Sequence, residues 1–271
     1  MMKKSKVYQL ALFGDPVNHS LSPIIHQQFA SQYDLKIDYE LIQIDEGRFP
    51  LAVEEFFDNR GHGANVTLPH KLSAANIAYK ISEIAKKAKA VNTFSKNSQS
   101  QIIGDNTDGI GFINDLINRC KFSCEHKNIL ILGAGGATQG IVPSIMQQNP
   151  KNLVVANRTL NKATDICSYA NSKGMTFEHL EQLDKAFDLI IHSSSLGHQG
   201  KTLTFNPQHK HSHTICYDLS YAKAAQAFIE FSQSIGITHA FDGLGMLVEQ
   251  AASAFEIWFG VMPETKNIKL N

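Results

Sequence analysis

Cysteine is scarce in this chain. Four are scattered over 271 residues, at Cys120, Cys124, Cys167 and Cys216, with no CxxC pair. That excludes a disulfide framework and fits reduced thiols in a cytoplasmic protein. Net charge is missing as well, since Lys+Arg 25 balances Asp+Glu 25. A neutral chain has no bulk field for nucleic acid or an anionic membrane, so any anion must be held by a local site. No apolar stretch approaches the ~18 residues that span a bilayer. Charged residues make up only 18%, below the roughly 25% of an average globular chain, which argues against long disordered segments. What is present is core material: 43% of the residues are hydrophobic. The length predicts one large domain or two smaller ones. The opening Met1-Met2-Lys3-Lys4-Ser5-Lys6, followed by Val7–Phe13, has the outline of a signal peptide. Gly14-Asp15-Pro16 follows with no small-residue cleavage site, so a buried first strand is expected.

Strand-like runs alternate with helical patterns along the chain. Strands are expected at Val7–Phe13, Ile37–Ile44 and Gly63–Thr67, with a hairpin from Val91–Phe94 and Gln101–Gly104. Helices are expected from Ser22, as an N-cap before Pro23, to Tyr33, over Phe49–Asn59 with Gly61 as the stop, within Ala74–Ala90, and over Asp108–Cys120. In that last helix Ile110, Phe112, Ile113, Leu116 and Ile117 form the apolar side. The second half repeats the alternation: strands at Asn128–Leu132, Leu153–Ala156, Phe187–Ile191 and Thr214–Leu219, and helices at Ala137–Gln148, Thr159–Ser172, Lys223–Ile235 and Leu244–Phe259. The fold class is α/β with mainly parallel sheets and right-handed crossovers. The histidine-rich stretch His209–His213 has no cysteine or acid cluster beside it and reads as a solvated loop, not a metal site.

Ile129-Leu130-Ile131-Leu132 runs into Gly133-Ala134-Gly135-Gly136-Ala137. A glycine loop directly after an aliphatic strand and opening a helix is the setting of a dinucleotide site. Gly133 permits the tight turn, Gly135 lets the backbone approach a pyrophosphate, and the helix-start N–H groups hold its charge. Because this motif needs its own first strand, the chain is expected to divide near residue 108. Residues 1–108 would form one domain, joined by the closing helix 246–271. Residues 109–245 would form a Rossmann-like domain. Enzymes using NAD usually place an acid about 20 residues past the loop. No Asp or Glu occurs from Gly133 through Thr164. The next strand ends instead in Asn157-Arg158-Thr159, with Lys162 a turn later. Cationic and polar groups suit a 2′-phosphate that a carboxylate would repel, so NADP(H) is the expected cofactor.

Polar clusters end the strands of the first half: Ser20-Leu21-Ser22-Pro23, Asn65-Val66-Thr67-Leu68-Pro69-His70-Lys71, Asn92-Thr93, and Gly104-Asp105-Asn106-Thr107-Asp108-Gly109. Each has a bland reading alone: Ser22 and Asp108 as helix caps, Lys71 as a solvated lysine. Ligands of open α/β sheets bind beyond the carboxyl ends of the strands, where these groups would converge on a small hydroxyl-rich molecule. A Lys–Asp pair suits carbonyl reduction. The ammonium stabilises the developing oxyanion and delivers its proton, and the carboxylate positions the ammonium.

Together with Ala90-Val91-Asn92-Thr93 and Asp242-Gly243-Leu244-Gly245-Met246-Leu247-Val248-Glu249-Gln250-Ala251, these motifs resemble the shikimate dehydrogenase family, in its order and over essentially the whole chain. The resemblance implies reversible NADPH-dependent reduction of 3-dehydroshikimate to shikimate in aromatic amino-acid (chorismate) biosynthesis. It implies Lys71 and Asp108 as the catalytic pair. Ser20, Ser22, Thr67, Lys71, Asn92, Asp108, Tyr221 and Gln250 would touch substrate. Gly133, Ala134, Gly135, Gly136, Ala137, Asn157, Arg158, Thr159, Lys162, Leu219, Gly243 and Glu83 would lie on the cofactor side, with no metal. The closing helix would pack back on the first domain. The chain departs from the family at His192-Ser193-Ser194-Ser195-Leu196-Gly197, where Asn-Ala/Thr-Thr/Ser is usual. It departs again at Gln226-Ala227-Phe228 in place of Thr-Pro, and at Leu219 in place of Met. Three alternatives stay open: a quinate/shikimate paralogue using NAD, a folate-pathway dehydrogenase, and a non-catalytic ligand sensor on the same fold. Asn157 where the paralogues carry an acid, and the retention of Lys71 with Asp108, weigh against the first and the last. The state of assembly, monomer or homodimer, is open.

Overall fold

The computed structural model describes residues 6–270; Met1–Ser5 of the signal-like start lie outside them. The chain forms two compact units. One runs up to Gly111 and resumes at Val248; the other is Phe112–Leu247.

The first unit contains β1 (Val7–Gly14), α1 (Ser22–Ser31), β2 (Lys36–Gln43), α2 (Phe49–Asp58), β3 (Gly61–Val66), α3 (Lys71–Ile77), β4 (Lys80–Ile81), α4 (Glu83–Ala88), β5 (Thr93–Lys96) and β6 (Ile102–Asp105). Its six-stranded sheet has the order β2-β1-β3-β5-β6-β4. β1 pairs in parallel with β2 and β3, and β5 is antiparallel to both β3 and β6. The core gathers Phe13, Phe49, Val53, Val66, Val91 and Phe94. Each such burial contributes roughly 1.5–3 kcal/mol relative to exposure.

The chain passes out of this unit within α5 (Asp108–Asn118). The second unit then contains β7 (Asn128–Leu132), α6 (Gly136–Gln147), β8 (Asn152–Ala156), α7 (Leu160–Ile166), β9 (Ser172–Met175), α8 (Phe177–Glu181), β10 (Phe187–His192), β11 (Lys210–Asp218), α9 (Lys223–Ser234) and β12 (His239–Phe241). The chain returns within α10 (Leu244–Phe259). The second sheet is all parallel, ordered β12-β11-β10-β7-β8-β9. This is the doubly wound dinucleotide-binding order, with the topological switch between β7 and β10. Both faces are covered, so β7 reads as a continuous aliphatic run with no alternation.

Several local expectations are corrected. Ser22 is the first helical residue of α1 and not its cap, which is Leu21; the Ser22 side chain is engaged by Ser20 instead. α2 ends through Arg60 at φ 76°, not through Gly61; Gly61 opens β3. Ala74–Ala90 holds helical segments as expected, with the unexpected β4 between α3 and α4, and the helix expected over Thr159–Ser172 stops at Ile166 so that β9 can join the sheet. Sheet pairing there overrides helical propensity. On α5, Phe112, Ile113 and Leu116 are buried, while Ile110 and Ile117 face outward. The buried stripe is narrower than the apolar composition suggests. His209–His213 is not a loop: His209 is buried, and β11 begins at Lys210. Among the described residues no three or more His, Cys, Asp or Glu side chains group so as to hold a metal ion, and no helix there is long and apolar enough to cross a membrane. Burial pushes the Cys120, Cys124 and Cys216 thiols up to about 12 and Cys167 to about 11. They stay protonated and unreactive.

His26 on α1 is fully buried between Tyr39, Phe255 and Trp258. Burial pulls its imidazole down to about 3, only partly opposed by the Asn65 side chain. The unfolded chain therefore binds a proton that the folded one refuses between about pH 6.5 and pH 3. Stability should be complete above pH 6.5 and fall with acidification, by up to about 1.4 kcal/mol per pH unit from this group. His26→Leu should flatten the decline of urea-unfolding free energy between about pH 6.5 and 4. An unchanged slope would remove His26 as its source.

Candidate active site

The first unit brings several polar strand ends together. Lys71 is fixed by its neighbour: His70 stacks on Phe49 at 4.3 Å and its Nε2 meets the Ile44 carbonyl at 2.8 Å. α3 starts at Lys71, and the Lys71 carbonyl accepts the Val91 N–H at 2.8 Å. Asp108 begins α5, its N–H bonded to Asn106 Oδ1 at 3.0 Å. At a helix start the carboxylate lies at the positive end of the helix dipole. Lys71 Nζ donates to Asp108 Oδ2 at 2.6 Å, with side chains 15% and 6% exposed. The other oxygen, Asp108 Oδ1, accepts from Asn92 Nδ2 at 2.9 Å. Asn92 in turn accepts the Thr107 N–H at 2.8 Å and reaches Gln250 Oε1 at 3.4 Å.

A second set continues from Asn92. Thr93 Oγ1 donates to Asn92 Oδ1 at 2.8 Å, Asn65 Nδ2 donates to Thr93 Oγ1 at 3.2 Å, and the Tyr39 hydroxyl donates to Asn65 Oδ1 at 2.8 Å. Burial raises the Tyr39 hydroxyl above its ordinary range, keeping it a neutral donor, and Ser22 bonds to it. Ser20 Oγ donates to Ser22 Oγ at 3.0 Å. Asn65, Thr93 and Thr107 lie in the polar clusters read from the sequence but were given no role of their own, and Tyr39 was not singled out. Asn65, a polar residue at a buried strand end beside Thr67, carried the signal; Tyr39 carried none. Thr67 packs its methyl toward Gly14 and makes none of these side-chain bonds. Glu83 stands apart: it is exposed at the start of α4, and its carboxylate takes Lys86 Nζ at 2.6 Å, which holds its carboxyl below the usual range.

In the second unit the expected cofactor residues line the carboxyl ends of neighbouring strands. Gly133 has φ +112°, and a Cβ there would lie 2.6 Å from the Ser193 carbonyl oxygen, so only glycine fits. Its N–H bonds to the Ala156 carbonyl at 2.8 Å. Gly135 is the cap of α6, with no side chain on the free helix-start amides and open space where a Cβ would stand. Those features fit a bound phosphate. Ala134 lies in the turn, and Gly136 and Ala137 open α6. At the end of β8, Asn157 Nδ2 donates to the Thr159 carbonyl at 2.9 Å. Arg158, Thr159 and Lys162 are exposed, with no carboxylate paired to either cation among the described residues. Leu219 and Tyr221 follow β11, and Gly243 bonds its N–H to the Ser220 carbonyl at 2.7 Å. Burial raises the Tyr221 hydroxyl.

Comparison with known proteins finds relatives over most of the chain. Residues 12–94 match the family model described as the shikimate dehydrogenase substrate binding domain. Residues 116–220 match shikimate / quinate 5-dehydrogenase, and 243–269 match the shikimate 5'-dehydrogenase C-terminal domain. A shikimate dehydrogenase (NADP(+)) of Coxiella burnetii is 40% identical over 262 residues, covering 95% of this chain and 96% of that protein. The chain belongs to the shikimate dehydrogenase family. Among solved structures, an Ael1 enzyme from Pseudomonas putida shares 31% identity at a TM-score of 0.89, over 97% of this chain and 99% of that one. The shikimate 5-dehydrogenase of Thermus thermophilus, solved in complex with NADP(H) and shikimate, shares 25% identity at a TM-score of 0.84, over 96% and 97%. Membership makes this chain an oxidoreductase of the shikimate dehydrogenase type.

Proposed function

We propose that the chain reduces 3-dehydroshikimate to shikimate reversibly, with NADPH, as a cytoplasmic enzyme. Substrate is assigned to the first unit and NADP(H) to the second. The observation that carries the reading is the largely buried contact of Lys71 with Asp108 at 2.6 Å, beside the buried amides and hydroxyls of Asn65, Asn92, Thr93 and Thr107, which suit a polyhydroxy acid. Bound NADPH supplies the hydride. Lys71 stabilises the negative charge that develops on the substrate oxygen and hands it a proton; in the reverse direction it takes the proton from the hydroxyl. Asp108 holds the ammonium in place and is itself held by Asn92. Ser20, Ser22, Thr67, Asn92, Tyr221 and Gln250 are assigned to the substrate carboxylate and hydroxyls. The glycine loop is assigned to the pyrophosphate and Asn157, Arg158, Thr159 and Lys162 to the 2′-phosphate, with Leu219 and Gly243 beside the nicotinamide. Glu83, paired with Lys86 in the first unit, has no support from its surroundings for a cofactor role.

The decisive assay follows nicotinamide reduction with shikimate or quinate against NADP⁺ and NAD⁺. Turnover confined to shikimate with NADP⁺ is expected. Comparable rates with quinate or NAD⁺ would move the chain to the quinate-accepting branch, and no turnover with any pair would overturn the enzymatic reading.

A further inference from the structure

The carboxyl ends of β10 and β11 carry a pair of ionisable side chains that the catalytic reading leaves unused. His192 and Asp218 are register partners, and both side chains are fully buried. His192 Nδ1 donates to Asp218 Oδ2 at 2.8 Å, and its Nε2 accepts the Leu203 N–H at 3.4 Å. The ring stacks on Phe228 of α9, with centroids 4.8 Å apart and planes 18° from parallel. One ring nitrogen faces a carboxylate and the other an amide N–H, so the partners select the tautomer that carries its proton on Nδ1. A buried pair with every polar atom satisfied has a single low-energy geometry. Replacing the ring by an apolar group would leave Asp218 buried and short of a donor.

That geometry is passed to the loop that leaves β11. The second oxygen, Asp218 Oδ1, accepts the Ser220 N–H at 2.8 Å, and the His192 carbonyl accepts the Leu219 N–H at 2.9 Å. The far side of the loop is pinned as well. The Ser220 carbonyl accepts from Gly243, and Asp242 Oδ2 takes the Ala222 N–H at 3.4 Å. Asp242 is itself held by Arg119 Nη1 at 3.3 Å. Between these anchors Ala222 sits at φ 52°, ψ −135°, a region that residues with a Cβ adopt only where their surroundings over-determine the backbone. Leu219 and Tyr221 lie in this stretch.

We propose that His192 and Asp218 act as a positioning pair that sets the 219–222 loop, and through it the side chains of Tyr221 and Leu219. The proposal rests on the reading of those two residues as substrate- and nicotinamide-facing. None of the bonds described above links the pair to Asn157–Lys162, so its loss should act on turnover and leave recognition of the adenosine end intact.

The test compares His192→Leu, which removes both ring contacts, with His192→Asn, whose amide can still donate where Nδ1 does. Both are measured with and without Tyr221→Phe. His192→Leu should lower kcat by about tenfold while the NADP⁺ Kd moves by less than about threefold, and His192→Asn should recover most of the rate. The double variant should lose less than the product of the two single effects, because the share of the loss that runs through Tyr221 is already taken by either single change. Independently of activity, the Ser220 amide should exchange with solvent at least about tenfold faster in His192→Leu, while the Ile131 amide in β7 keeps its protection. A folded His192→Leu protein with wild-type kcat and wild-type Ser220 exchange would overturn the proposal, as would fully multiplicative effects in the double variant. If the wild-type protein turned over no shikimate, the catalytic reading would fall while Ser220 exchange still decided whether the pair holds the loop.

Discussion

Lys71→Ala is expected to lower kcat by about 10²–10⁴-fold, with the KM for shikimate changing by less than about tenfold. The asymmetry follows from what the ammonium does. Its contact with a neutral carbonyl is worth little in the ground state, and it grows in value as charge moves onto the oxygen. The fold should survive the change. Asp108 keeps its bond from Asn92 at 2.9 Å and its place at the start of α5, where the helix dipole favours a carboxylate. A thermal melt would establish that. Steady-state rates in both directions, measured on the folded variant, would then test the role. A kcat within about threefold of wild type would remove Lys71 as the proton donor.

Arg158→Ala is expected to raise the KM for NADP(H) by about 10–100-fold and to leave the KM for NAD(H) within about twofold. A charge-assisted bond contributes roughly 1.5–3 kcal/mol, and each 1.4 kcal/mol is a factor of ten. Arg158 is exposed at the end of β8 and carries no carboxylate partner among the described residues, so none of their acids competes with a phosphate for it. Lys162, a flexible point charge a turn further on, should matter less. Equal losses with both cofactors would show that the guanidinium does not read the 2′-phosphate.

Parts of this protein were legible because their signals are local. The glycine loop needs only a strand, a tight turn and a helix start in sequence, and Gly133 at φ +112° shows why no other residue serves there. The parallel second sheet followed from aliphatic runs spaced by helical patterns. Short elements were not legible. β4, a two-residue strand, and β9 exist because a neighbouring strand offers hydrogen bonds, and their own sequences give no period-2 pattern. The same holds for the histidine-rich stretch, whose polar composition suggested a loop while Lys210, at the head of β11, pairs with Phe187 of β10.

The site divides in the same way. Residue types at strand ends named Lys71, Asp108, Asn92 and Ser22, and motif order named the family. The contacts among them belong to tertiary structure. Lys71 and Asp108 are 37 residues apart, and Asn92 and Gln250 are 158 apart; no local spacing encodes such pairs. Tyr39 joins the serine pair to Asn65 only because β2 lies beside β1 and β1 beside β3. His192, which in sequence was merely a departure from the family pattern, acquires its carboxylate partner only when β10 and β11 pair in register. The sequence by itself determined the alternating α/β plan, the phosphate-binding turn and the kinds of chemical groups available. The pairing of strands decided which of those groups meet, because hydrogen bonds between buried polar side chains depend on positions that the whole fold sets.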